Sequence, residues 1–192
     1  MTKKKHRRNR QKPSPVITIG IGVLLIGLAV LLLASPGGEG NAQSLSSVIP
    51  VPVNYPAPEL SLQNLDGKTE SLADYRDQVV LVNNWATWCP PCKAEMPTLA
   101  AYYNERRSEG FTIIAIEAGD PVDAVSQFAQ SYDLKFPVWL DPNGASLRAF
   151  GNGTLPNSYV IDRSGAVRYA WTGEINEAML EEYVTPLLAN DG

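Results

Sequence analysis

Histidine and cysteine are nearly missing from this 192-residue sequence, which holds one histidine, His6, and two cysteines, Cys89 and Cys92. Tetrahedral zinc takes four protein ligands, or three and a water, so a zinc centre within one chain is excluded. No His/Cys tract and no internal repeat occurs, and neither a metal nor a cofactor is expected. Acid is missing from the first twelve residues, which carry Lys3, Lys4, Lys5, Arg7, Arg8, Arg10 and Lys12. Those seven leave nine basic residues against all 20 acids beyond them, so residues 13–192 carry a net charge of about −11. A body that acidic repels polyanions, and nucleic acid is excluded as its partner.

Charge is also missing from Val16 to Ala34, nineteen residues rich in Leu, Ile, Val and Gly. A spanning helix needs about twenty such residues. The basic cluster ahead of the run stays cytoplasmic, which exports the rest of the chain. The expected organisation is a basic cytoplasmic tail over 1–15, one transmembrane helix over 16–34, a flexible linker over 35–56 rich in Pro, Gly and Ser, and a folded domain over 57–192. A cleaved signal peptide is the competing reading. Its apolar core would be shorter, and Leu32 stands where cleavage after Ala34 wants a small residue. No cysteine directly succeeds the run to carry a lipid. Both readings place the domain outside the cytoplasm, where disulfides persist.

Within the domain, Leu60, Leu62 and Leu65 precede the turn signal Asp66-Gly67, which predicts a β-hairpin. The apolar run Val79–Val82 predicts a strand buried on both faces. A helix is expected from Pro91 to about Ser108, with Gly110 as its stop. A strand over 111–116 comes next, then a helix capped by Asp120, a strand over 137–140, a brief helix over 145–150, a hairpin over 159–171 and a last helix over 176–188. This order of elements implies an α/β fold: a central mixed sheet with helices on both faces.

Both cysteines fall at the junction of the first buried strand with the next helix, as Cys89-Pro90-Pro91-Cys92. Two thiols at this spacing suggest a pair that cycles between dithiol and disulfide. A structural disulfide would close a tiny loop and stabilise little. A helix N-terminus offers free N–H donors and partial positive charge, which favour a thiolate. Cys89, ahead of the helix, is expected to be exposed and to attack. Cys92, inside the first turn, is expected to resolve the mixed disulfide. Pro90 and Pro91 have no N–H, so Cys89 has few donors. Weak thiolate stabilisation makes the pair a reductant rather than a strong oxidant.

The segment Asn84-Trp85-Ala86-Thr87-Trp88-Cys89-Pro90-Pro91-Cys92-Lys93-Ala94-Glu95-Met96-Pro97 resembles the active-site segment of membrane-anchored thioredoxin-like thiol-disulfide oxidoreductases of the TlpA, ResA and CcmG type. The resemblance extends over about Ala57–Leu188 and includes Gly153-Thr154-Leu155-Pro156. It implies a thioredoxin-like fold with an N-terminal β-hairpin extension. It also implies that Pro156 is cis and faces the dithiol, and that the Leu155 backbone pairs with an extended peptide. Trp88, Pro90 and Pro91 would complete the substrate groove. Thioredoxins proper carry a buried Asp where this chain has Asn83. The branch with Asn there has a Glu at the position of Glu95.

Glu95 lies three residues beyond Cys92 and shares its helix face. A partly buried Glu with raised pKa would deprotonate Cys92; the alternative is a first-turn acid that complements the helix dipole. These residues describe an exported, anchored reductant of protein disulfides that a membrane thiol carrier must re-reduce. The resemblance favours apocytochrome c as substrate. Two rivals stand. A thiol peroxidase shares the broader fold, but its Thr-x-x-Cys pattern fails here because Ala86 lies three before Cys89. A binding module with an inert disulfide is the other.

Overall fold

The computed structural model describes residues 49–189. The expected basic tail over 1–15, the transmembrane helix over 16–34 and residues 35–48 of the expected linker lie outside the described residues. Among the described residues no helix is long and apolar enough to cross a membrane.

Eight strands form one mixed sheet. They are β1 (Val51–Pro56), β2 (Ser61–Asn64), β3 (Thr69–Ser71), β4 (Val79–Trp85), β5 (Phe111–Glu117), β6 (Val138–Leu140), β7 (Asn157–Ile161) and β8 (Ala166–Thr172). Their order across the sheet is β1-β8-β7-β4-β5-β6-β2-β3. β4, β5 and β6 run parallel, and β7 lies antiparallel to β4 on its other side. The helices are α1 (Pro90–Arg106), α2 (Val122–Ser131), α3 (Ala145–Ala149), α4 (Glu177–Tyr183) and α5 (Thr185–Leu188). The mixed sheet with flanking helices is the expected α/β, thioredoxin-like arrangement. The β2–β3 hairpin turns at Gly67, whose φ of 76° suits glycine, while Asn64 Oδ1 accepts the N–H groups of Asp66 and Lys68.

Three expectations need correction. The linker does not reach residue 56, because Val51–Pro56 is strand β1, paired with β8. Pro52 and Pro56 lack an N–H and hide a strand from periodicity, yet an edge position tolerates them. Asp120 does not cap α2, whose N-cap is Pro121; its carboxylate is turned to Thr87 instead. The last helix is not continuous over 176–188. It ends at Tyr183, and α5 restarts at Thr185 with Pro186 in its first turn.

β4 is buried at all seven positions, as a central strand covered on both faces must be. Its alternate residues feed two cores. Val79 and Leu81 join Ile113, Ala115, Met96, Leu99, Met179 and Leu180 on one face. Val80 and Val82 join Ile114, Ile116, Leu60, Leu72, Trp139 and Tyr159 on the other. Cys89 and Cys92 belong to the first of these cores. The dithiol therefore sits where the most deeply buried strand hands over to α1.

Candidate active site

Cys89 and Cys92 form a disulfide with their Cα atoms 5.3 Å apart. Cys89 is the N-cap of α1, and its Sγ accepts the Cys92 N–H at 3.3 Å. Pro90 and Pro91 occupy the first two helical positions, so Cys92 supplies the first backbone N–H that the helix can offer. Among the described residues it is the only donor to Cys89 Sγ. No acid lies in the first turn. The helix continues through the proline Pro97 to Arg106, and Gly110 lies beyond it with a φ of 77°.

Cys89 is less open than its place ahead of the helix suggests. It is 3% exposed against 0% for Cys92, so the order holds while the expected exposure does not. As N-cap it is folded against the first turn and packs into the core beside α1. The two tryptophans diverge. Trp85 is fully buried, with its ring centroid 4.6 Å from that of Phe128. Trp88, the residue before Cys89, is 65% exposed and presents a large apolar face to solvent.

The peptide between Leu155 and Pro156 is cis. Leu155 packs against the same core to which both cysteines belong. The neighbours of Leu155 are tied down. Thr154 N–H donates to Asn152 Oδ1 at 3.0 Å, Thr154 C=O accepts Asn157 Nδ2 at 2.7 Å, and Pro156 C=O accepts Gly173 N–H at 2.8 Å. Among the described residues nothing holds the N–H or C=O of Leu155.

Glu95 is fully buried and lies beyond the first turn of α1, which holds no acid, so it is not the first-turn acid of the alternative reading. Its Oε1 accepts Asn83 Nδ2 at 2.8 Å, and its Oε2 accepts the Ile175 N–H at 2.9 Å. Burial pushes its pKa up to about 8, against the pull of those two hydrogen bonds, with Glu174 adding a further upward push. A carboxyl poised there, one helical turn from Cys92, is matched to proton exchange with a thiol. Asn83 also donates to Ser158 Oγ at 3.0 Å, while its Oδ1 is buried without a partner.

Sequence reasoning missed a clamp on the loop ahead of Cys89. Thr87 donates its N–H (2.9 Å) and its hydroxyl (2.6 Å) to Asp120 Oδ2. Burial opposes ionisation of Asp120, but the Thr87 bonds outweigh it and hold its pKa below the ordinary value. Asp120 N–H in turn donates to both carboxylate oxygens of Glu117, at 3.0 and 2.9 Å. The only trace in the sequence is an Asp-Pro pair, which reads equally well as a helix cap. Hydrogen bonds to charged groups are worth about 1.5–3 kcal/mol when buried, and solvent screens this partly exposed pair, so the two Thr87 bonds together contribute less than their buried sum. Asp120→Ala should therefore lower stability by about 2 kcal/mol, and Asp120→Asn, which keeps an acceptor, by clearly less. Urea denaturation of both variants checks this; equal losses would mean that the acceptor on residue 120 contributes nothing.

Comparison with known proteins agrees with this geometry. Residues 53–170 match the family model described as the AhpC/TSA family. The thiol-disulfide oxidoreductase ResA of Geobacillus thermodenitrificans is 34% identical over 157 residues, 82% of this chain and 90% of that protein. The protein of the same name from Bacillus thuringiensis is 39% identical over 128 residues, 67% of this chain and 74% of that one. Among solved structures, the thioredoxin-family thiol:disulfide interchange protein of Chlorobium tepidum superposes with a TM-score of 0.65 at 31% identity. The match covers 71% of this chain and 98% of that one.

Proposed function

The chain belongs to the AhpC/TSA family and is a thiol-disulfide oxidoreductase, and from that premise we propose that it works as an extracytoplasmic reductant of protein disulfides. Its direction rests on one observation: among the described residues Cys92 N–H is the sole donor to Cys89 Sγ, because Pro90 and Pro91 have none. A thiolate with one donor is poorly stabilised, and a poorly stabilised dithiol gives up its electrons readily.

The reaction proceeds in two displacements. The Cys89 thiolate attacks one sulfur of the substrate disulfide; an S–S bond forms to Cys89 and the other substrate sulfur leaves as thiolate. Glu95 takes the Cys92 proton, and the Cys92 thiolate attacks Cys89 Sγ. The second substrate sulfur leaves and is protonated, and the protein keeps the disulfide. The substrate gains two electrons and the Cys89–Cys92 pair loses them. Trp88, Pro90, Pro91, Leu155 and Pro156 form the groove, in which an extended segment pairs with the open Leu155 backbone.

Location and partners are read from the sequence. The basic residues ahead of the uncharged run Val16–Ala34 support a single N-terminal anchor with the catalytic domain outside. Each turnover leaves an oxidised pair across the membrane from cytoplasmic reductants, so a membrane thiol carrier must supply electrons. The motif resemblance favours apocytochrome c as the substrate. A peroxidase reading lacks support at the site, where buried Ala86 stands three residues before Cys89.

Equilibration of the protein with a graded thiol redox buffer tests the direction. The expected potential is more negative than about −200 mV. A more oxidising value would overturn the reductant assignment, and an absence of exchange would leave an inert disulfide on a binding module.

A further inference from the structure

A buried run of side chains connects the strand that delivers the dithiol to the loop that carries Leu155. Asn84 and Asn157 are register partners on β4 and β7, and they are 1% and 0% exposed. Asn84 Nδ2 donates to Asn157 Oδ1 at 2.8 Å. Asn157 Nδ2 donates to Thr154 C=O at 2.7 Å and to Asn152 C=O at 3.4 Å. At the other end, Ser146 Oγ on α3 donates to Asn84 Oδ1 at 2.6 Å, and Ser146 N–H donates to Asp141 Oδ2 at 2.8 Å.

Two amides fully buried in a sheet are costly unless every group is satisfied, and an apolar pair would fill the same space. The bond that gives this run a use is the one to Thr154 C=O. That carbonyl and the Leu155 N–H belong to one planar peptide unit. The cis bond comes one unit later, between Leu155 and Pro156, so the Thr154–Leu155 unit is trans and its C=O and N–H point in opposite directions. By drawing the Thr154 carbonyl inward, Asn157 turns the Leu155 N–H outward, and nothing in the described residues takes it up.

We propose that Asn157, braced by Asn84 and Ser146, is a positioning residue that aims the Leu155 N–H at an incoming extended polypeptide. The relay thereby sets affinity for peptide disulfides and leaves the electron chemistry of the Cys89–Cys92 pair alone. This rests on the reductant reading, including its pairing of an extended segment with Leu155, and adds to it the side chains that fix the direction of that N–H.

The experiment uses the full chain with two substrates: a synthetic extended peptide closed by a Cys-x-x-Cys disulfide, and bis(2-hydroxyethyl) disulfide, which has no main chain to pair. In Asn157→Ala the KM for the peptide should rise about tenfold, the cost of one misdirected hydrogen bond. No comparable rise should appear for bis(2-hydroxyethyl) disulfide, and the dithiol potential should match that of the wild type. Equal losses on both substrates, a shifted potential, or an unchanged peptide KM would each overturn the proposal.

Should Asn157→Ala not fold, Ser146→Ala removes a single hydroxyl at the far end of the relay. It should raise the same KM about threefold; an unchanged value overturns the proposal. A wild-type chain that reduces neither substrate would sink the reductant reading itself, a pattern distinct from any of these.

Discussion

Cys92→Ala should stop the reaction halfway and hold the substrate on Cys89 as a mixed disulfide. The sequence has no third cysteine, so no other thiol of the chain can resolve the adduct. Intramolecular groups held in attacking position act at effective concentrations of about 10⁵ M or more, far above any thiol in solution. Removing Cys92 should extend the life of the adduct by at least about 10³-fold at millimolar external thiol. The adduct should appear as a band on a non-reducing gel that collapses on reduction. Cys89→Ala should form no adduct and lose turnover to the same degree. The assignment of roles rests on the N-cap position of Cys89 and on its 3% exposure against 0% for Cys92. An adduct on Cys92 in Cys89→Ala, with none in Cys92→Ala, would reverse it. The trapped protein also identifies the substrate directly, which separates apocytochrome c from any other protein disulfide.

The legible parts of this molecule are those whose signal is local. The Val79–Val82 run, the proline at the start of α1, Gly110 after it and the Asp66-Gly67 turn each carry their structural reason within a few residues, and all stand where the sequence puts them. The dithiol was legible because two cysteines with no other partner leave few chemistries. The features that escaped depend on partners distant in sequence. β1 is a strand only because β8, more than a hundred residues later, offers it an edge. Asp120 reads as a helix cap until Thr87, 33 residues away, supplies two stronger donors. Asn157 and Ser158 precede the strand that the sequence predicts from 159, and their use is set by Asn84 and Asn83, 73 and 75 residues earlier. Exposure misled where a single residue had to be placed: Cys89 lies ahead of its helix, but its side chain folds back as the cap. Proline hid β1 and ended α4, two opposite consequences of the same missing N–H.

Glu95→Gln should separate the proton chemistry from the fold. Burial holds the Glu95 pKa up at about 8 against an ordinary value of 4.5, so the native state keeps a proton that the unfolded chain releases. The stability it contributes is whole below about pH 4.5 and is lost as pH rises through about 8. Each unit is worth about 1.4 kcal/mol, so wild-type stability should fall by on the order of 5 kcal/mol across that window. Glu95→Gln should lose this slope and be the more stable protein at pH 9. The variant should fold, because Asn83 Oδ1 is buried without a donor. A rotated Asn83 amide can offer that oxygen to the new Gln Nε2–H. The kinetics should move the opposite way. Below pH 8 most Glu95 is protonated and cannot take the Cys92 proton, so wild-type resolution should accelerate with pH and level off above about 8. In Glu95→Gln that limb should vanish and the resolving step slow by about 10²-fold at neutral pH. Stopped-flow tryptophan fluorescence, recorded from pH 5 to 10, reports it through Trp88, next to Cys89 in the chain. A variant that gains stability at high pH yet keeps the wild-type pH–rate profile would make Glu95 a buried ligand of Asn83 and Ile175 with no part in catalysis. A variant that loses both the stability slope and the kinetic limb would place the proton that releases the substrate on this one carboxyl.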